Sequence, residues 1–169
     1  MHAAVDQALA GYYGDDSFAT GIVARLVTGP GRLECSCAWH PRPLLLRGRK
    51  VVAELDCDAA LPFGLGGDTP EPGACELEPD DAVLLYTDGV VEARTPDGEL
   101  FGLERLADLL EREAASGQPA EELLRRLVWS GPCWSTRLAA CAMTPRCCWC
   151  NGPAAERGQA ALTCGLAAA

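Results

Sequence analysis

Positive charge is scarce: 14 Lys and Arg stand against 24 Asp and Glu, a formal net charge of -10. That balance argues against nucleic acid or an anionic membrane surface as a partner, because both attract cations. Long apolar runs are missing too. No stretch approaches the roughly 20 apolar residues of a membrane-spanning helix. The start, Met1-His2-Ala3-Ala4-Val5-Asp6, has neither the basic segment nor the apolar core of a signal peptide. These absences predict a cytoplasmic chain, and 169 residues suffice for one domain with a real core.

Cysteine is abundant instead, and 10 of them sit oddly with a reducing compartment, where disulfide frameworks are not favoured. Their distribution divides the chain. Cys35, Cys37, Cys57 and Cys75 are scattered through a mixed sequence and read as small apolar core residues. Cys133, Cys141, Cys147, Cys148, Cys150 and Cys164 crowd the end together with Trp129, Trp134 and Trp149, so composition changes abruptly near residue 129.

Before that change the chain is patterned. Val5 to Tyr13 has a short helical spacing. Phe18 to Val27 and Arg32 to Ala38 read as a hairpin about Gly29-Pro30-Gly31, and Leu44–Leu46 with Val51–Leu55 as a second hairpin about Arg47-Gly48-Arg49-Lys50. That basic cluster reads as a solvated turn, with attraction for phosphate as the alternative. Ala59 to Pro79, rich in Gly, Pro and acids, reads as a loop. Gly102 to Ala115 and Pro119 to Val128 place leucines on one face each and predict two helices.

The stretch with the most chemical promise is Ala82 to Arg94, AVLLYTDGVVEAR. Ala82–Tyr86 is a continuous apolar run suited to a central strand. Asp88-Gly89 then allows two readings. One is a tight turn, since Asp tolerates turn geometry and Gly takes positive φ without a clash. The other is a carboxylate fixed at the mouth of a rigid strand to hold a hard divalent cation, which takes oxygen ligands.

Four ordered segments carry a resemblance. They are Cys37-Ala38-Trp39-His40-Pro41-Arg42-Pro43-Leu44, Leu61-Pro62-Phe63-Gly64-Leu65, Leu77-Glu78-Pro79-Asp80-Asp81, and LLYTDGVVEAR with the Asp97-Gly98-Glu99-Leu100-Phe101-Gly102 that follows it. Together they resemble bacterial PPM-type serine/threonine phosphatases of the SpoIIE and RsbU kind. The resemblance implies an α+β fold, part of an αββα sandwich of antiparallel sheets flanked by helices. It also implies hydrolysis of phosphoserine or phosphothreonine by water activated between two Mn²⁺ or Mg²⁺ ions, with a phosphorylated anti-sigma-factor antagonist as protein partner. Of the acidic segments such a site uses, this sequence matches the Thr-Asp-Gly turn, which makes Asp88 the candidate metal ligand. A Gly-Gly-Asp and a Gly-Asp-Val-x-Gly-His-Gly segment would precede Met1, and the closing Asp-Asp pair is not written. The expectation is therefore a C-terminal phosphatase portion at 1–128 that is inactive as it stands; the alternative is an interaction remnant without catalysis. No catalytic residue is assigned. His40 reads as structural, with a catalytic role as the lesser alternative. Trp39 replaces a family Gly and should strain its segment.

The cysteine-rich end, 129–169, decodes differently if its frame is shifted. Met and Trp have single codons, so Met143-Thr144 reads ATGAC, and one base earlier gives GATGAC, Asp-Asp. Carrying that frame from Val128 to Pro153, with G/C-rich codons where there is a choice, yields VERAVLEHAAGGLRDDAALLLVQRA. That is a helix, a Gly turn and an Asp-Asp-led strand. The end as written is thus expected to be out of frame and, with its Ala, Gly and Pro, disordered. A zinc cluster of Cys141, Cys147, Cys148 and Cys150 is the rival reading, though C-x5-C-C-x-C lacks paired C-x2-C knuckles.

Overall fold

The structure, a computed structural model, describes residues 1–13, 17–94, 97–118, 122, 125, 140–143 and 159–168, the last two segments by backbone pairing. The chain forms two compact units: Met1–Arg42 with Leu55–Glu78 and Cys148–Ala169, and Pro43–Glu54 with Pro79–Cys147.

The first unit is built on β1 (Phe18–Val27) and β2 (Arg32–Ala38), antiparallel from Gly21↔Ala38 to Val27↔Arg32. Side chains alternate across a strand, so Ile22, Ala24 and Leu26 share one face with Leu33, Cys35 and Cys37. Val23 and Ala38 lie on the other, where they pack with Phe63 and with Val5 and Leu9 of α1 (His2–Tyr13). His2 also lies over that face, its Nδ1 2.7 Å from Ser36 Oγ and its ring 4.7 Å from that of Phe63.

The second unit has its strands in the order β4-β3-β7-β8: β3 (Leu44–Arg47), β4 (Lys50–Glu54), β7 (Ala82–Tyr86) and β8 (Ala140–Met143). Leu44, Leu46, Leu84 and Tyr86 form one cluster with Val90, Phe101 and the Leu106, Leu109 and Leu110 face of α3 (Gly102–Ala115). The Leu103, Leu106, Leu109, Leu110 spacing read from the sequence is the i, i+3, i+4 stripe that puts α3 on the core.

Several expectations need correction. The span 59–79 is not simply a loop: β5 (Ala59–Ala60) and β6 (Gly73–Glu76) pair with β2, parallel and antiparallel respectively. These edge pieces are strands because β2 offers them backbone partners, not because of any alternation of their own. The turn Arg47-Gly48-Arg49-Lys50 is solvent-exposed at Gly48, Arg49 and Lys50, as a solvated turn would be, but its charges have partners. Arg47 grips Asp81 through Nε at 3.1 Å and Nη2 at 2.7 Å, Lys50 pairs with Glu111, and Arg49 Nη1 lies 3.5 Å from the Ala115 carbonyl. Asp81 is 2% exposed, so its carboxylate needs this forked, charge-assisted grip. Ala140–Met143 and Gln159–Ala168 (β9), expected to lack order, are strands: β8 pairs with β7, and β9 pairs along all of β1 from Phe18↔Ala168 to Val27↔Gln159. The remainder of 129–169, including the proposed zinc cysteines other than Cys141, lies outside the described residues, as does most of the helix expected over 119–128. Arg125 and Glu122, both described, form an ion pair at 2.7 Å.

Candidate functional site

Asp88 sits where the sequence places it, directly after a buried strand. Val83, Leu84, Leu85 and Tyr86 are buried, and Leu44↔Leu84 and Leu84↔Ala142 show β7 flanked on both sides. Thr87 is buried and extended (φ -94°, ψ 158°), after which the chain enters α2 (Asp88–Val91). The Asp-Gly pair is therefore the start of a single helical turn and not a tight turn. Val90 N–H donates to Thr87 O at 3.0 Å and Glu92 N–H to Asp88 O at 2.9 Å. The reason is Val90: at 1% exposure it joins the leucine cluster beneath, and only a helical turn aims it there. Asp88 is thereby left exposed, its Oδ1 accepting the N–H of Gly89 at 2.7 Å. The loop after it is closed by Phe101 N–H donating to Ala93 O at 2.7 Å and by the Arg94↔Leu100 bridge, with Arg94 Nη1 donating to Gly98 O. The carboxylate rides on a short turn pinned at both ends.

The other motif residues lie in the first unit. Trp39 follows β2 with φ 43°, the left-handed region, and is 72% exposed. The strain expected there is real in the backbone, since a side chain in that region costs about 1 kcal/mol that Gly does not. The indole avoids further cost by standing in solvent. His40 is half-buried. The Leu61-Pro62-Phe63-Gly64-Leu65 segment runs along β1: Phe63 and Ala19 exchange both backbone hydrogen bonds at 2.9 Å. Gly64, at φ 94°, could not carry a Cβ, which would meet Ser17 O at 2.5 Å, and its N–H donates to Asp6 Oδ1 at 2.8 Å. Asp6 thus holds this loop from α1. Sequence reasoning missed it, because its partner is 58 residues away.

A family profile described as Stage II sporulation protein E (SpoIIE) matches residues 1–130. The chain belongs to the SpoIIE family. Two solved structures share its fold. The RsbU and RsbW domains of a Mycobacterium tuberculosis protein are 26% identical with TM-score 0.66, covering 83% of this chain and 39% of theirs. The SiaA-PP2C domain of Pseudomonas aeruginosa is 20% identical with TM-score 0.62, covering 84% of this chain and 58% of its own. This SpoIIE-family chain thus spans less than two thirds of either. No curated protein matches it. The α+β fold of antiparallel sheets and helices expected from the sequence is the one found, and the chain is a PP2C-like phosphatase-family domain portion.

Whether the residues of this SpoIIE-family chain suit a metal pair can be tested on its donors. Two dications need several converging carboxylates. Among the described residues no group of three or more His, Cys, Asp or Glu is placed to hold an ion. Asp88 spends one oxygen on its neighbour's N–H. The donors among the described residues do not make up the ligand set of a metal pair. Among the described residues, moreover, no helix is long and apolar enough to cross a membrane.

Proposed function

We propose that this chain is the C-terminal portion of a cytoplasmic protein serine/threonine phosphatase domain. In its complete form such a domain would use Mn²⁺ or Mg²⁺ to remove phosphate from an anti-sigma-factor antagonist, with Asp88 among the metal ligands. The observation that carries this reading is the family match across 1–130, which includes the β7–α2 segment presenting Asp88. The RsbU and RsbW domains joined in one of the similar structures support a partner-switching setting. The chain alone is expected to have little or no phosphatase activity, because a lone exposed carboxylate neutralises too little charge to position two dications. The test is Mn²⁺-dependent hydrolysis of a phosphoserine protein by the chain and by its Asp88→Asn variant. Both should stay at background. Hydrolysis that disappears in Asp88→Asn would overturn the inactivity while supporting the ligand assignment. A pull-down with phosphorylated and unphosphorylated antagonist then separates a binding remnant, which retains a partner, from a chain that has lost both roles.

We propose further that the phosphatase-derived portion is 1–128 and that 129–169 is translated out of frame. Resequencing the locus decides this. A restored Asp-Asp ending is the expected result, and a confirmed frame as written would refute it.

A further inference from the structure

We propose that Cys35, Cys37 and Cys57 form an oxidant-responsive thiol site, in which Cys57 and Cys35 close a reversible disulfide and Cys37 is the alternative partner. The placement follows from the sheet. Cys35 and Cys37 are two residues apart on β2 and so share a face, while Ser36 between them turns to His2 on the other. Cys75, opposite Leu33 in β6, is on the cysteine face as well. Cys57 arrives from the segment after β4, its Sγ 2.7 Å from Cys35 Sγ. Closing that gap to a bonded length of about 2.05 Å takes a shift of only about 0.7 Å. Cys57 is also held in place: a Cβ on Gly73 would meet Asp56 O at 1.7 Å and Cys57 Cα at 3.3 Å, so β6 presses on this segment without slack. All three thiols are 3% exposed or less, a setting that suits a small oxidant and not a bulky one. No metal role competes, since no three ligating side chains among the described residues are placed around an ion.

The electrostatics agree with the geometry. The thiols of Cys35 and then Cys37 donate to Cys57 and hold its pKa down at about 4 against the effect of burial, with Arg42 adding to the pull. Cys35 and Cys37 are pushed up by sharing their protons with Cys57 and by burial. That direction favours Cys57 as the sulfur that gives up its proton most readily, and thiolate is the form that reacts. With hydrogen peroxide as oxidant, the Cys57 sulfur attacks one oxygen, the O–O bond breaks, and Cys57 sulfenic acid and hydroxide result. Cys35 sulfur then attacks Cys57 sulfur; the S–S bond forms, the S–O bond breaks, and the departing hydroxide leaves as water with the Cys35 proton. Two electrons pass from the two sulfurs to the peroxide.

The experiment uses the reduced full chain. It is exposed to hydrogen peroxide, alkylated with N-ethylmaleimide in denaturant, cleaved at acidic residues so that Glu71 separates Cys57 from Cys75, and mapped by mass spectrometry. Cys35 and Cys57 should lose label together and appear in one cross-linked product that dithiothreitol reverses, while Cys75 keeps its label. The cross-link should form on the order of tenfold faster, or more, than in urea-unfolded chain, because folding supplies the proximity. In Cys35→Ser the link should move to Cys37. Cys57 remaining labelled, Cys57 joined to Cys75 or to a cysteine beyond 129, or an equal rate in urea would each overturn the proposal. The wild-type cross-link decides by itself, so a variant that fails to fold does not spare it.

Discussion

Gly73→Ala is expected to strip β6 from β2 and to destabilise the first unit by about 3 kcal/mol. The added methyl has no room: its carbon would sit 1.7 Å from Asp56 O and 2.8 Å from Asp56 C. These are backbone atoms, which cannot rotate aside as a side chain would, so either the 56–57 segment or the whole of β6 must move. The four ladder positions from Arg32↔Glu76 to Cys35↔Gly73 would then lose register. Urea denaturation reads the loss, and amide exchange at 33–35 and 74–76 shows where it falls. An unchanged midpoint with protected amides would refute the close approach itself. The same substitution should slow the Cys35–Cys57 cross-link, because the segment it displaces carries Cys57.

Leu110→Ala should cost the second unit about 3–4 kcal/mol, the range for a fully buried leucine whose cavity cannot collapse. Leu110 is 0% exposed, on the face of α3 that packs with Leu44, Leu46, Leu84, Tyr86 and Val90. Most neighbours are strand residues fixed by cross-strand pairing, so they cannot follow the missing methyl groups inward. Against a total stability of about 5–15 kcal/mol for a domain, that is a large fraction. Leu103, only half-buried on the same helix, supplies the control: Leu103→Ala should cost about 1 kcal/mol. Equal losses at the two positions would mean that α3 does not seat on the core through Leu110. Because Val90 rests on the same cluster, Leu110→Ala should also loosen α2, visible as faster amide exchange at Glu92.

The parts legible in the sequence were those whose pattern is local. β1, β2, β7 and α3 have the bounds that alternation, a continuous apolar run and an i, i+3, i+4 leucine stripe indicated. The Gly/Pro-rich span hid β5 and β6, since a four-residue edge strand such as Gly73–Glu76 is defined by its partner and carries no period of its own. Gly73 was nonetheless a usable signal: an isolated Gly beside an apolar pair often marks a close backbone approach. At Asp88 the punctuation was read correctly and its geometry was not. Asp-Gly announced the end of the strand, but the buried Val90 two residues later decided that a helical turn and not a tight one would follow. The contacts beyond reach were those joining distant residues, Asp6 with Gly64 and Cys35 with Cys57. Nothing in a window of sequence links a carboxylate to a loop amide 58 positions on.

β9 invites a thought about how proteins survive damage to their genes. The free rim of β1 offers a row of main-chain donors and acceptors, and these recognise a peptide by its backbone, indifferent to the letters attached. Gln159–Ala168, built mostly of small residues, answers that row over its full length. If the end of this chain is the product of a slipped reading frame, it has found a seat that asks little of its spelling. A rim that would otherwise invite other molecules to stack on it is occupied by Gln159–Ala168. Such seats would let a gene tolerate garbled endings long enough for selection to repair or discard them.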